Sequence, residues 1–137
     1  MNNSAALFGV ITMITWGLWI VFGDIASSII DPKMTAFVSY ISAAIITGLF
    51  IIATDTSFAV TNRGLFFAAI AGVAAAIGVI STFIGASIGS TTTVSTIGGM
   101  YFVTTALIST IAFGEPLSAD KVVGIILAVS AIIVINY

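Results

Sequence analysis

Hydrophobic residues run through the chain in five long blocks with little polar interruption, roughly 5–30, 34–53, 64–83, 91–113 and 119–136. An α-helix needs about 20 mostly apolar residues to cross the hydrocarbon of a bilayer, and each block is close to that length. Period-2 alternation is absent from them. A backbone in lipid must satisfy its own polar groups, so helices are preferred over a closed barrel. The pattern predicts an all-α integral membrane protein with five transmembrane helices, residues 1–137 forming a single transmembrane domain.

The breaks between the blocks carry their own signals. Asp31-Pro32-Lys33 reads as a turn, because proline biases the residue before it away from helix. ATDTSFAVTNRG (53–64) is the one polar loop of any length, and GASIGS (85–90) is a connection of small residues with Ser90 placed to cap the fourth helix. Phe113-Gly114-Glu115-Pro116 ends that helix. Ser118 can cap the fifth, with Asp120 in its first turn, where the helix dipole favours an acid.

Composition then removes several classes of function. The 137 residues are 60% hydrophobic and 6% charged, whereas soluble domains carry about 25% charged residues. Three basic and five acidic side chains cannot cover a water-facing surface. The first block does not read as a cleaved signal, since MNNS ahead of it has no basic residue and the apolar run is too long. The absence of cysteine and histidine removes thiolate sites and the commonest metal ligand, so no metal or other cofactor is expected. A net charge of −2 with so few Lys and Arg argues against nucleic acid as a partner. With no credible nucleophile–base pair and no Gly-rich phosphate loop, an enzyme is not expected. The partners expected instead are the bilayer, a small molecule and another membrane chain.

Candidate chemistry concentrates in two blocks. In ITWGLWIVFGDIASS (14–28), Asp24 is the one charged residue away from a block end. With the block centred between Gly17 and Leu18, a rise of 1.5 Å per residue sets Asp24 about 10 Å from the midplane, inside a hydrocarbon half-thickness of about 15 Å. An acid there normally faces a bundle interior or a wet cavity. Ala6, Met13, Gly17, Asp24 and Ser28 share one helical stripe whose small and polar residues suit a cavity wall, with Trp16 flanking it. Trp16 and Trp19 lie near midplane, where their rings can hold a cation or a flat organic substrate, or simply pack. The alternative for Asp24 is structural: a helix ending near Ser27 would leave it interfacial, its oxygens bonded to the hydroxyls of Ser27 and Ser28.

The second block, SIGSTTTVSTIGGMYFVTTALIST (87–110), has hydroxyls throughout and Gly98-Gly99 in its middle. Thr92, Ser95, Thr96, Gly99, Ala106 and Thr110 share a broad face, and Tyr101 adds a hydroxyl that needs a partner. These residues are expected to line the pathway at the bundle centre. Stripes of small residues (Ala68, Gly72 and Ala76; Gly124 and Ala128) permit close helix approach, either within the chain or between subunits.

Five spans place the termini on opposite sides. Arg63 and Lys121 then share the N-terminal side and Lys33 lies on the other, a bias too small to fix orientation firmly. A chain that inserts both ways can recreate the inverted-repeat symmetry of transporters as an antiparallel homodimer. A parallel or hetero-paired arrangement is the alternative.

TWGLWIVFGDIAS (15–27) and MYFVTTALISTIAFGEPLSADKVVGIILAVSAIIVIN (100–136) resemble the EamA-like branch of the drug/metabolite transporter superfamily. The WG pair, the FGEPLS break and the following helix with Gly124 fall in that family's order. The resemblance covers nearly the whole chain as one five-helix repeat, where typical members carry two. It implies a multi-pass transporter of the cell membrane that moves small metabolites or organic compounds by alternating access. Glu115 and Pro116 match the family's helix-junction motif, where a structural role is implied, as for Gly124.

Two departures stand out. Relatives often have lysine where Asp24 stands, and often proline after the tyrosine of helix 4, where this chain has Phe102; the second implies a straighter helix 4. An acid with aromatic neighbours favours cationic or zwitterionic cargo, with proton and substrate competing for the Asp24 carboxylates of a dimer. Asp24, Trp16, Trp19, Gly17, Tyr101, Thr96 and Gly99 are the expected substrate- and proton-binding residues. The alternative function is a non-transporting membrane subunit that pairs with another membrane protein.

Overall fold

The computed structural model describes residues 3–136, and their regular structure is entirely helical. In order the elements are α1 (Asn3–Ser27), α2 (Pro32–Ala53), α3 (Asn62–Ile88), α4 (Thr91–Gly98), α5 (Tyr101–Phe113) and α6 (Ala119–Asn136). The helices α1, α2 and α3, and α4 with α5 taken as one run (Thr91–Phe113), are each long and apolar enough to cross a membrane. With α6 they supply the five helices expected.

Local chemistry sets most of the boundaries. The Asp31 carboxylate accepts the Lys33 N–H at 2.8 Å to cap α2, and Pro32 occupies the first turn, where its missing N–H has no partner to lose. The Ser90 hydroxyl accepts the Thr93 N–H at 3.4 Å and starts α4 as expected. Gly114 ends α5 with φ +66°, a left-handed conformation that glycine enters without a Cβ penalty. The Glu115 N–H then turns back to the Ser109 carbonyl at 3.3 Å. Asp120 lies in the first turn of α6.

Two helix ends lie clearly away from the sequence reading. The first helix stops at Ser27, because the N–H groups of Ile29 and Ile30 both fold back onto the Ala26 carbonyl at 2.9 Å. The third helix continues to Ile88 and absorbs most of GASIGS. A glycine inside a helix costs only about 1 kcal/mol relative to alanine, less than a broken backbone ladder would cost in an apolar medium.

The fourth block is interrupted by a turn at Gly99 and Met100. At Gly99 and Met100 the ladder tightens: Met100 N–H bonds the Ile97 carbonyl at 3.0 Å, and Val103 N–H bonds that of Met100 at 2.8 Å. These are three-residue turns. Just upstream, the Ser95 hydroxyl bonds the Thr92 carbonyl at 3.0 Å and that of Thr96 does so at 2.9 Å. Such back-bonding bends helices, and the glycine doublet removes the side chains that would resist the break.

Contacts divide the chain into two compact units, Met1–Ile88 and Gly89–Tyr137. In the first, α1, α2 and α3 pack against one another in all three pairs; in the second, α4 contacts α6. The first unit's core is Ala36 of α2 with Val79 and Phe83 of α3, and Trp19 of α1 packs on it. Phe83 is only 1% exposed. Large apolar side chains such as Phe8, Phe37, Phe66 and Ile111 stand outward along the helices, an arrangement water would not tolerate over so wide an area. The small-residue stripes make no close contact at Gly72 or Gly124, where an added Cβ would meet nothing within 4 Å.

Candidate functional site

The site in the first unit is built from one glycine. Gly23 is buried against Phe83, and a Cβ at residue 23 would overlap the Phe83 ring. Its absence draws α1 onto α3. One turn earlier on the same face, the Trp19 ring lies 5.1 Å from that of Phe83, tilted by 43°. The indole N–H has to find an acceptor in such surroundings, and it donates to the Ser39 hydroxyl of α2 at 2.8 Å. Three helices are thereby joined at one tryptophan.

Beside this junction lies a crevice of about 310 Å³. Trp19 and Ala26 form one wall, Thr35, Val38 and Ser39 the other, with Phe83 beneath. The volume falls at the lower end of small-molecule sites, about 300–1,000 Å³. The lining holds no charged side chain. The Thr35 hydroxyl is turned back onto the Asp31 carbonyl at 3.4 Å.

Of the expected site residues, the structure brings Trp19 into this crevice. Trp16 and Gly17 are exposed, as is Met13 on the expected stripe. The packed face of α1 carries Trp19, Gly23 and Ser27, roughly a quarter turn from the Gly17–Asp24 stripe at about 100° per residue. Asp24 is half-buried. Because α1 runs from residue 3 to 27, Asp24 sits in its last turn, about 13 Å from the helix midpoint at 1.5 Å per residue.

The serines do not hold the Asp24 carboxylate in the way the structural alternative requires. The Ser28 hydroxyl donates to the Ile25 carbonyl at 2.7 Å, and the Ser27 hydroxyl is buried with no partner among the described residues. No ion pair or side-chain hydrogen bond engages Asp24 among them either.

Thr96, Gly99 and Tyr101 belong to the second unit. The Thr96 hydroxyl bonds carbonyls of its own helix, Gly99 forms the break, and Tyr101 opens α5. The residues that sequence reasoning missed are Gly23, Ser39 and Phe83. A signal for Ser39 existed: Thr35, Ser39 and Ser42 recur at helical spacing and mark one polar stripe on α2.

A family model for EamA-like transporters matches residues 3–137. The chain belongs to the EamA-like transporter family. No curated protein and no solved structure matches it. Membership makes this EamA-like chain a multi-pass membrane protein of the drug/metabolite transporter type, in a family of transporters rather than enzymes. In the EamA-like helix junction, Glu115 Oε2 lies 4.0 Å from Lys121 Nζ, and both side chains are more than half exposed. An exposed pair of this kind contributes about 0–1 kcal/mol. Gly114 and Pro116 set the junction more firmly, one by its left-handed turn and the other by being unable to continue the helix.

Proposed function

We propose that this EamA-like chain carries small organic cations or zwitterions across the cell membrane by alternating access, with Asp24 as the carboxylate over which substrate and proton compete. The family match over residues 3–137 carries the transport part of this reading. The cargo class rests on Asp24, a half-buried carboxylate with no basic neighbour paired to it among the described residues. Trp16 and Gly17 precede it by about two turns on α1. The functional unit is an antiparallel homodimer, a reading supported by the near balance of Lys33 against Arg63 and Lys121.

The test is transport into proteoliposomes under an imposed pH gradient, with a panel of labelled amines, zwitterionic amino compounds and planar aromatic cations. The wild type is expected to accumulate at least one of them in response to the gradient. Asp24→Asn should abolish that response while leaving the amount of inserted protein unchanged. Undiminished gradient-driven uptake by Asp24→Asn would remove Asp24 from the mechanism.

A further inference from the structure

We propose that the crevice between α1 and α2 is a binding site for a neutral aromatic molecule bearing one hydrogen-bond acceptor, held against Trp19 and Phe22 and oriented by the Ser39 hydroxyl. This goes beyond the transport reading, which places a charged cargo at Asp24.

Three observations lead there. The crevice holds about 310 Å³, and its lining includes the rings of Trp19 and Phe22, which favour a second ring in offset or edge contact. None of its side chains is charged. A charged guest would lose its hydration without gaining a counter-charge, so a neutral one is selected.

The third observation concerns Ser39. Its oxygen accepts the Trp19 N–H at 2.8 Å, and its own proton has no acceptor among the described residues. Two neighbouring hydroxyls of α2 are satisfied by their own helix: Thr35 turns back to the Asp31 carbonyl at 3.4 Å, and Ser42 to that of Val38 at 3.0 Å. Ser39 keeps a donor in the wall of an apolar crevice, with its oxygen fixed by the indole. A ligand oxygen or ring nitrogen completes the chain from indole to hydroxyl to ligand. A hydrocarbon chain from the bilayer fills the same space but leaves the hydroxyl unused.

The chain has two tryptophans, so Trp16→Phe leaves Trp19 as the sole indole reporter. The full chain carrying that change, in phosphatidylcholine nanodiscs, is titrated with acetophenone, an aryl ketone that quenches indole fluorescence. Saturable quenching is expected. Adding Ala26→Phe, which places a ring in the crevice from its α1 wall, should abolish saturation.

Adding Ser39→Ala should weaken the acetophenone midpoint about tenfold, the effect of one lost hydrogen bond, and Ser39→Thr should restore it. Ethylbenzene, which has the same shape without the oxygen, should compete weakly and be indifferent to Ser39→Ala. Quenching that is linear in acetophenone and unaffected by Ala26→Phe would show that acyl chains occupy the crevice, and would overturn the site. Saturable binding insensitive to Ser39→Ala would overturn the acceptor requirement. Circular dichroism of each variant separates loss of binding from loss of fold.

Discussion

Gly23 and Phe83 determine how near α1 and α3 come, because the ring of one occupies the volume a Cβ of the other would need. Phe83 is 1% exposed, so turning its ring away from residue 23 would disturb the packing around it. Gly23→Ala is therefore expected to destabilise the protein by about 1–3 kcal/mol, the usual effect of overpacking, read as a lower unfolding temperature in detergent. Phe83→Ala should cost about 3 kcal/mol, the low end of the range for such truncations in water. Lipid is as apolar as the core, so lost packing dominates over lost burial. Trp19→Phe keeps the ring contact and deletes the N–H to Ser39, an expected loss near 0.6 kcal/mol, the average for side-chain hydrogen bonds between membrane helices.

At this scale the sequence was partly legible. Aromatic residues near a helix midpoint announced Trp19, but its partners came from two other helices and no local pattern links residue 19 to residues 39 and 83. Asp24 was visible as an acid in an apolar block. Its depth was not, because depth depends on where the helix ends, and Ile29 and Ile30 are apolar enough to read as span although their N–H groups fold back in a turn.

Helix boundaries followed the sequence wherever a polar cap or a proline marked them, as at Asp31-Pro32, Ser90 and Gly114. They departed at the end of α1, where apolar Ile29 and Ile30 hide a turn, and where glycine stood alone as the signal. Gly85 proved compatible with a continuous α3, whereas Gly98 and Gly99 together, below a run of back-bonding hydroxyls, interrupt the fourth span. A Cβ at Gly98 meets nothing within 4 Å, and one at Gly99 would lie 3.1 Å from the Ser95 carbonyl oxygen. Helix propensity should therefore draw the double variant Gly98→Ala, Gly99→Ala toward a straight helix by about 1 kcal/mol per residue. Spin labels on exposed Thr92 and Ile111 would report it, their backbone separation settling at about 28 Å, the straight-helix value for 19 residues. If transport uses the break as a pivot, the same variant should transport more slowly while inserting normally. An unchanged label separation would show that the glycines do not set the interruption.

For the whole molecule, the blocks of apolar residues and the scarcity of charge were enough to show an all-helical, multi-pass membrane protein, because both follow from the bilayer as solvent. The division of contacts at Ile88 was not foreseeable, since it depends on which helices pack, and every block is apolar nearly all round. Orientation in the membrane belongs to this scale as well. A single cysteine at Asn3, or appended after Tyr137, can be probed in intact cells with an impermeant thiol reagent because the chain has no cysteine of its own. Partial labelling from outside at both positions is expected for the antiparallel dimer. Complete labelling of one terminus and none of the other would end the self-paired model.

The packing of α1, α2 and α3 on one another lies wholly within the first 88 residues, and the Trp19–Ser39 bond and the Gly23–Phe83 contact are made there. During synthesis this three-helix unit has its own partners in hand before the broken span has left the ribosome. Order of emergence and order of assembly thus coincide: the three helices made before it can stand folded in the bilayer while the hydroxyl-rich segment, the least apolar of the candidate spans, is still waiting to be inserted.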